Sequence, residues 1–261
     1  LLIEKNGGIV MSKVLGISGS LYKNSNTDTL IKTIMEATGA EYELIKLSNV
    51  NVGPCVGCKK CIQTNECIRD DDFKWISKKM LDADAIIVGS PVMVASVSAI
   101  TKAFIERLDS FFHAEPQLLH GKLAAGVVIG WTSVERTSEW LTKIALEGVG
   151  GMNVVGTVTA YGHHGSLVCG KGETCPKSAW NLSKKVELMM GQNSEIEKMC
   201  KGIEKMCEGR VEALPDNDPL TNSSYKILDS SYVSVKDQPE AMQKAEEIGK
   251  AIRAKLQNNV M

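Results

Sequence analysis

The chain has 261 residues and 43% hydrophobic content, enough for one large α/β domain with an insertion or for two small domains. Its 30 basic and 31 acidic residues leave a net charge of −1, so nothing favours nucleic acid or an anionic membrane as a partner. No apolar run approaches the ~18 residues of a membrane span. Leu1 to Val10 is short, carries Glu4 and Lys5, and has no signal-peptide pattern, so the expected location is the cytoplasm. In that reducing compartment eight cysteines read as ligands or free thiols rather than disulfides.

Residues 1–10 read as a non-native or disordered extension, because Met11 offers a natural start just before the first strand. Lys13 to Ser18 reads as a buried parallel strand, and Asn26 to Thr38 as a helix with Leu30, Ile31, Ile34 and Met35 on one face. Tyr42 to Leu47 alternates as a second strand. Asp70, Asp71 and Asp72 then supply an N-cap and negative charge for a helix to about Ala83. Ala85 to Ser90 is a third strand, which Pro91 is expected to stop. Ser98 to Phe112 reads as one helix, with Ile100, Phe104, Leu108 and Phe111 aligned. Leu123 to Gly130 is a fourth strand, Glu135 to Glu147 a helix, Asn153 to Tyr161 a fifth strand and Gln238 to Lys255 a closing helix.

Five strands alternating with helices predict a doubly wound five-stranded parallel sheet. Residues 11–162 and 236–258 carry this pattern. Residues 163–235 break it and read as a mostly helical insertion of unknown role before the last helix.

Cys55, Cys58, Cys61 and Cys67 fall within thirteen residues, spaced C-x2-C-x2-C-x5-C, behind a Gly53-Pro54 turn. Thiols this close in sequence can converge on one point, as a [4Fe–4S] cluster or a structural zinc requires. The repeated x2 spacing resembles a ferredoxin loop more than a zinc ribbon, whose cysteine pairs lie far apart. A thiol redox relay remains the third option. Cys169, Cys175, Cys200 and Cys207 lie in the expected insertion. Cys200 and Cys207, if helical, stand two turns apart, which argues against one shared site. His163 and His164 follow the fifth strand and read as an exposed pair or a proton-delivery pair.

Three loops leave the carboxyl ends of strands, where ligands bind in such sheets. The first, residues 16–27, offers Ser18, Ser20, Lys23, Ser25, Asn26 and Thr27. It has neither a G-x-G-x-x-G nor a G-K-[ST], so dinucleotide and nucleoside triphosphate readings weaken. Hydroxyls and amides at a helix N-terminus suit a phosphate monoester. The second loop brings Pro91, Val92, Met93, Val94, Ala95 and Ser96, apolar enough to lie against a flat ring. The third brings Gly130, Trp131, Thr132 and Ser133.

The segment GSLYKNSNT resembles the flavin-phosphate loop of the NADPH-dependent FMN reductase-like proteins of flavodoxin fold. GSPVMVASVSAITKAFIERL resembles their second signature, and GPCVGCKKCIQTNECIRDDD the cluster loop of their iron–sulfur flavoprotein branch. The resemblance implies one [4Fe–4S] cluster on Cys55, Cys58, Cys61 and Cys67. It implies one FMN, its phosphate on Ser18, Ser20, Lys23, Ser25, Asn26 and Thr27 and its ring near 91–96 and 130–133. It also implies a homodimer or homotetramer that takes electrons from ferredoxin or a similar donor. Met93 stands where an aromatic residue is usual, and Trp131 where glycine is usual. No side chain is singled out as an acid or base. Two other readings remain open on the residues alone. One is an NAD(P)H-dependent flavin or quinone reductase with a structural metal, the other a non-catalytic redox sensor or assembly subunit.

Overall fold

The computed structural model describes residues 2–5, 8–130, 133–162 and 234–258. Trp131, Thr132, His163, His164, Cys169, Cys175, Cys200, Cys207 and the expected insertion up to residue 233 lie outside the described residues. At the N-terminal end, β1 (Leu2–Lys5) pairs antiparallel with β2 (Gly8–Met11).

β3 (Lys13–Ser18), β4 (Glu41–Lys46), β5 (Ala85–Met93), β7 (Leu123–Gly130) and β8 (Asn153–Tyr161) form a parallel sheet in the order β4-β3-β5-β7-β8, and β6 (Ser96–Val97) turns back on β5. This is the flavodoxin order, with a crossover between β3 and β5. Side chains alternate between two buried faces. Leu15, Ile17, Ile86, Val88 and Val128 point to one, and Val14, Ala85, Ile87, Val127 and Ile129 to the other. Burial on both faces explains why the central strands β3, β5 and β7 read as continuous apolar runs.

The first face is covered by α3 (Phe73–Asp82), α4 (Ala99–Glu106) and α5 (Asp109–Phe112), through Phe73, Ile76, Phe104, Ile105 and Phe111. The second is covered by α1 (Asn26–Thr38) and α7 (Pro239–Asn258), through Leu30, Ile31, Ile34, Ile248 and Ile252. α2 (Cys61–Thr64) lies in the cysteine loop, and α6 (Val134–Glu139) follows β7. Among the described residues no helix is long and apolar enough to cross a membrane.

Three expected boundaries and one expected cap change. β5 runs through Pro91 to Met93 instead of stopping. β3 ends opposite Gly89, so one side of β5 is open at Pro91 and a missing N–H there breaks no ladder with β3. The expected helix over 98–112 breaks after Glu106, where Arg107 and Leu108 separate α4 from α5. The expected helix over 135–147 is α-helical only to Glu139. It continues as a π-helix over Trp140–Val149, with Gly150 N donating to Ala145 O. Asp72 occupies the N-cap position of α3 without capping it. Its carboxylate takes the Asn51 amide and the Trp75 indole, and Asp71 accepts from Phe73 N instead.

Candidate functional site

The loop between β3 and α1 is built on a capping box. Ser25 Oγ accepts from Asp28 N at 3.1 Å, and Asp28 Oδ2 accepts from Ser25 N at 3.2 Å. Asp28 also accepts from Ser18 Oγ at 2.6 Å and from Lys46 Nζ at 2.5 Å. Lys46 Nζ reaches Tyr22 O as well, tying the loop to β4. A buried carboxylate here would oppose a bound anion, but the Lys46 ammonium neutralises it. Ser18, Ser20, Ser25, Asn26 and Thr27 are all buried around this turn, whereas Lys23 is exposed on it. Asn26 Oδ1 accepts from Val235 N, so this residue also anchors the start of the closing segment.

A second set of hydroxyls joins the first loop to the second. Ser98 Oγ donates to Gly19 O at 2.8 Å and lies 2.8 Å from Thr101 Oγ1. Thr101 Oγ1 donates to Ser90 Oγ at 3.1 Å, and Ser90 Oγ accepts from Ser98 N at 2.9 Å. A Cβ on Gly19 would stand 1.7 Å from Thr101 Oγ1, so only glycine lets the two loops approach. Between β5 and β6 the chain reverses at Val94 and Ala95, both left-handed with φ of 51° and 58°. That two-residue turn suits the sheet twist but strains a β-branched residue. It leaves Met93, Val94, Ala95 and Ser96 exposed, with Pro91 and Val92 half-buried. The third loop approaches the second closely: a Cβ on Gly130 would meet the Val92 side chain at 2.6 Å. Ser133, also left-handed, opens α6.

The cysteine loop leaves β4 and returns at α3. A left-handed residue lies between each successive pair of cysteines: Gly57, Lys59 and Asn65. These reversals turn Cys55, Cys58, Cys61 and Cys67 onto one cavity of about 210 Å³, shared with Asp109 and His113 of the α5 region. All four cysteines are free thiols, and Gly57 N donates to Cys55 Sγ at 3.4 Å. Burial, then the nearby Asp109 carboxylate, pushes the Cys61 thiol above its ordinary value. The ligand atoms of Cys61, Asp109 and His113 lie within 4.8 Å of one another.

The base of the loop is pinned by charge. Arg107 is 1% exposed. It donates through Nη1 and Nη2 to the two Asp71 oxygens at 2.7 and 3.1 Å, through Nη1 to Gly53 O at 2.9 Å, and through Nε to Cys67 Sγ at 3.2 Å. Arg69 Nη1 adds a bond to Pro54 O at 2.6 Å. Burial alone would raise the Asp71 carboxyl, but Arg107, then the Gly53 and Phe73 amides, outweigh it and hold it below the ordinary carboxylate range.

Sequence reasoning grouped the four cysteines that line one cavity and named the residues of the first two loops. It missed Asp28, Lys46, Asp71, Arg107, Asp109 and His113. Only the capping-box pattern of Ser25 and Asp28 was readable locally.

The NADPH-dependent FMN reductase family matches residues 12–165. An iron–sulfur flavoprotein of Methanocaldococcus jannaschii is 34% identical over 190 residues, covering 67% of this chain and 95% of its own. One from Methanosarcina thermophila is 30% identical over 160 residues, covering 58% of this chain and 80% of its own. A flavone reductase structure superposes with a TM-score of 0.51 at 18% identity, over 95% of this chain and 65% of its own, a likeness of fold alone.

Proposed function

This chain belongs to the NADPH-dependent FMN reductase family of FMN-dependent oxidoreductases and, within it, to the iron–sulfur flavoproteins, and from that premise we propose that it passes electrons between a one-electron donor such as ferredoxin and an acceptor through a [4Fe–4S] cluster and FMN. The observation that carries the reading is the convergence of four free thiols on one cavity. When bound, the two groups supply one- and two-electron chemistry of their own.

The cysteine cavity suits the cluster by its donor set. Cys55, Cys58, Cys61 and Cys67 offer four sulfurs, and Gly57 N and Arg107 Nε already donate to two of them. Cys61, held protonated by burial and Asp109, would release its proton on metal loading. On the flavin side Ser18, Ser20, Ser25, Asn26 and Thr27, with Lys23, would hold the phosphate at the N-terminus of α1. Residues 91–96, Gly130 and Ser133 would border the ring. The protein residues therefore bind, orient and set solvent access, and none acts as an acid or base.

In this reading 11–162 and 236–258 form the FMN domain, 163–235 an insertion, and the protein works as a cytoplasmic homodimer or homotetramer. Lys59 and Lys60, exposed on the cysteine loop, favour an acidic donor. Stopped-flow mixing of anaerobic protein with reduced ferredoxin tests the reading. FMN reduction should slow with added salt. It should be lost in Cys61→Ala, while dithionite still reduces that variant's FMN. Equal rates in wild type and Cys61→Ala would take the cluster off the path.

A further inference from the structure

We propose that Arg107 is the positioning residue of the metal loop: it latches the loop's two ends together and donates an N–H to the sulfur of Cys67, making the bound cluster easier to reduce. The proposal rests on the cluster reading above for its second half only; the latch is a property of the chain itself.

Four contacts carry it. Arg107 Nη1 holds Gly53 O, two residues before Cys55. Arg107 Nε holds Cys67 Sγ, the last of the four sulfurs. Nη1 and Nη2 grip Asp71, whose own oxygen takes Gly53 N at 3.3 Å. One guanidinium thus touches the start, the end and the exit of the loop. Its carbon stands 4.8 Å from the centre of the Phe73 ring, which closes one side. The side chain has no exposed surface, so water cannot take over these bonds. A planar fork with donors on three sides can make this set; a lysine ammonium is a single point of charge and cannot.

The local fold is arranged for this residue. α4 ends at Glu106, and Arg107 sits at the break before α5 instead of continuing the helix. An arginine placed merely to balance Asp71 would need only the two Nη contacts. The Nε bond to sulfur adds nothing to that pairing, but it withdraws electron density from a thiolate ligand. N–H donors to cluster sulfurs favour the more negatively charged reduced state, so they raise the potential.

The test compares wild type with Arg107→Gln and Arg107→Lys. In the metal-free proteins, amide hydrogen exchange over residues 51–72 should accelerate at least about tenfold in both variants while exchange in β5 and β7 stays as in wild type. After anaerobic reconstitution with ferrous iron and sulfide, the midpoint potential read by electron paramagnetic resonance should fall in Arg107→Gln, and fall less in Arg107→Lys, which keeps the charge. Wild-type exchange across the loop in both variants would overturn the latch. A wild-type midpoint in a reconstituted Arg107→Gln would overturn the role of the N–H···S bond. If Arg107→Gln does not fold, Arg107→Lys decides both readouts. Wild-type protein that takes up no iron and sulfide would sink the cluster reading instead, and exchange would then decide the proposal alone.

Discussion

Replacing Asp71 with asparagine should cost more than a surface carboxylate would. One Asp71 oxygen accepts from Arg107 Nη1 and Gly53 N, the other from Arg107 Nη2 and Phe73 N. Asparagine keeps the shape but turns one of those oxygens into a donor. Whichever way the amide is flipped, one guanidinium N–H and one backbone N–H then face another donor. The Arg107 charge meanwhile stays buried without its counter-ion. Breaking a buried pair from one side costs about 3–5 kcal/mol. At about 2–4 °C per kcal/mol for a unit of this size, the melting temperature should fall by about 6–20 °C. The assay is thermal unfolding of metal-free protein by circular dichroism at pH 7, for Asp71→Asn, Arg107→Met and the double variant. The double variant should recover part of the loss, because no charge is left unpaired. The carboxyl's folded pKa lies below its ordinary 3.8, so its contribution is complete above that value and fades as pH falls below it. The gap between wild type and Asp71→Asn should therefore close in acid. A melting point within about 2 °C of wild type at pH 7, or a double variant that loses the sum of both singles, would refute the reasoning.

Cys58→Ala should lose iron and retain FMN, because the cysteine loop leaves β4 while the phosphate loop leaves β3; stoichiometric zinc and no acid-labile sulfide in anaerobically purified wild type would count against it. Ser20→Glu should weaken FMN binding by about tenfold or more, since it sets a negative charge against the ligand's own at the α1 terminus. Unchanged affinity by fluorescence titration would place the phosphate elsewhere.

The two strands buried on both faces, Lys13–Ser18 beyond its exposed first residue and Leu123–Gly130, were readable residue for residue, and so was the edge strand Asn153–Tyr161. α1 was equally plain, with Ser25 before it and Gly39, at φ 66°, after it. What failed had no local signal. The apolar positions Phe104, Leu108 and Phe111 run straight through the break at Arg107, so periodicity favoured one helix. Arg107 itself reads as a solvated charge until its partner Asp71, 36 positions earlier, is brought beside it. The Lys46 brace depends on the parallel register that sets Ser18 against Lys46, which no pattern within either strand specifies. The tight turn at Val94 and Ala95 was invisible because neither residue favours a positive φ.

α4 ties the two candidate sites to one rigid element. At its N-terminal end Ser98 and Thr101 hold Gly19 and Ser90, and so fix the first two loops. Just past its C-terminal end Arg107 holds Gly53, Cys67 and Asp71, and so fixes the cysteine loop. Its eight residues span about 12 Å at 1.5 Å per residue. A straight helix of two turns, packed on the sheet through buried Phe104 and Ile105, has little freedom to lengthen or bend. The separation between the sites is therefore set by a helix and not by the loops that bear the ligands. Substitutions in a loop change what that loop holds; substitutions that shift α4 change where the two candidate sites stand relative to each other.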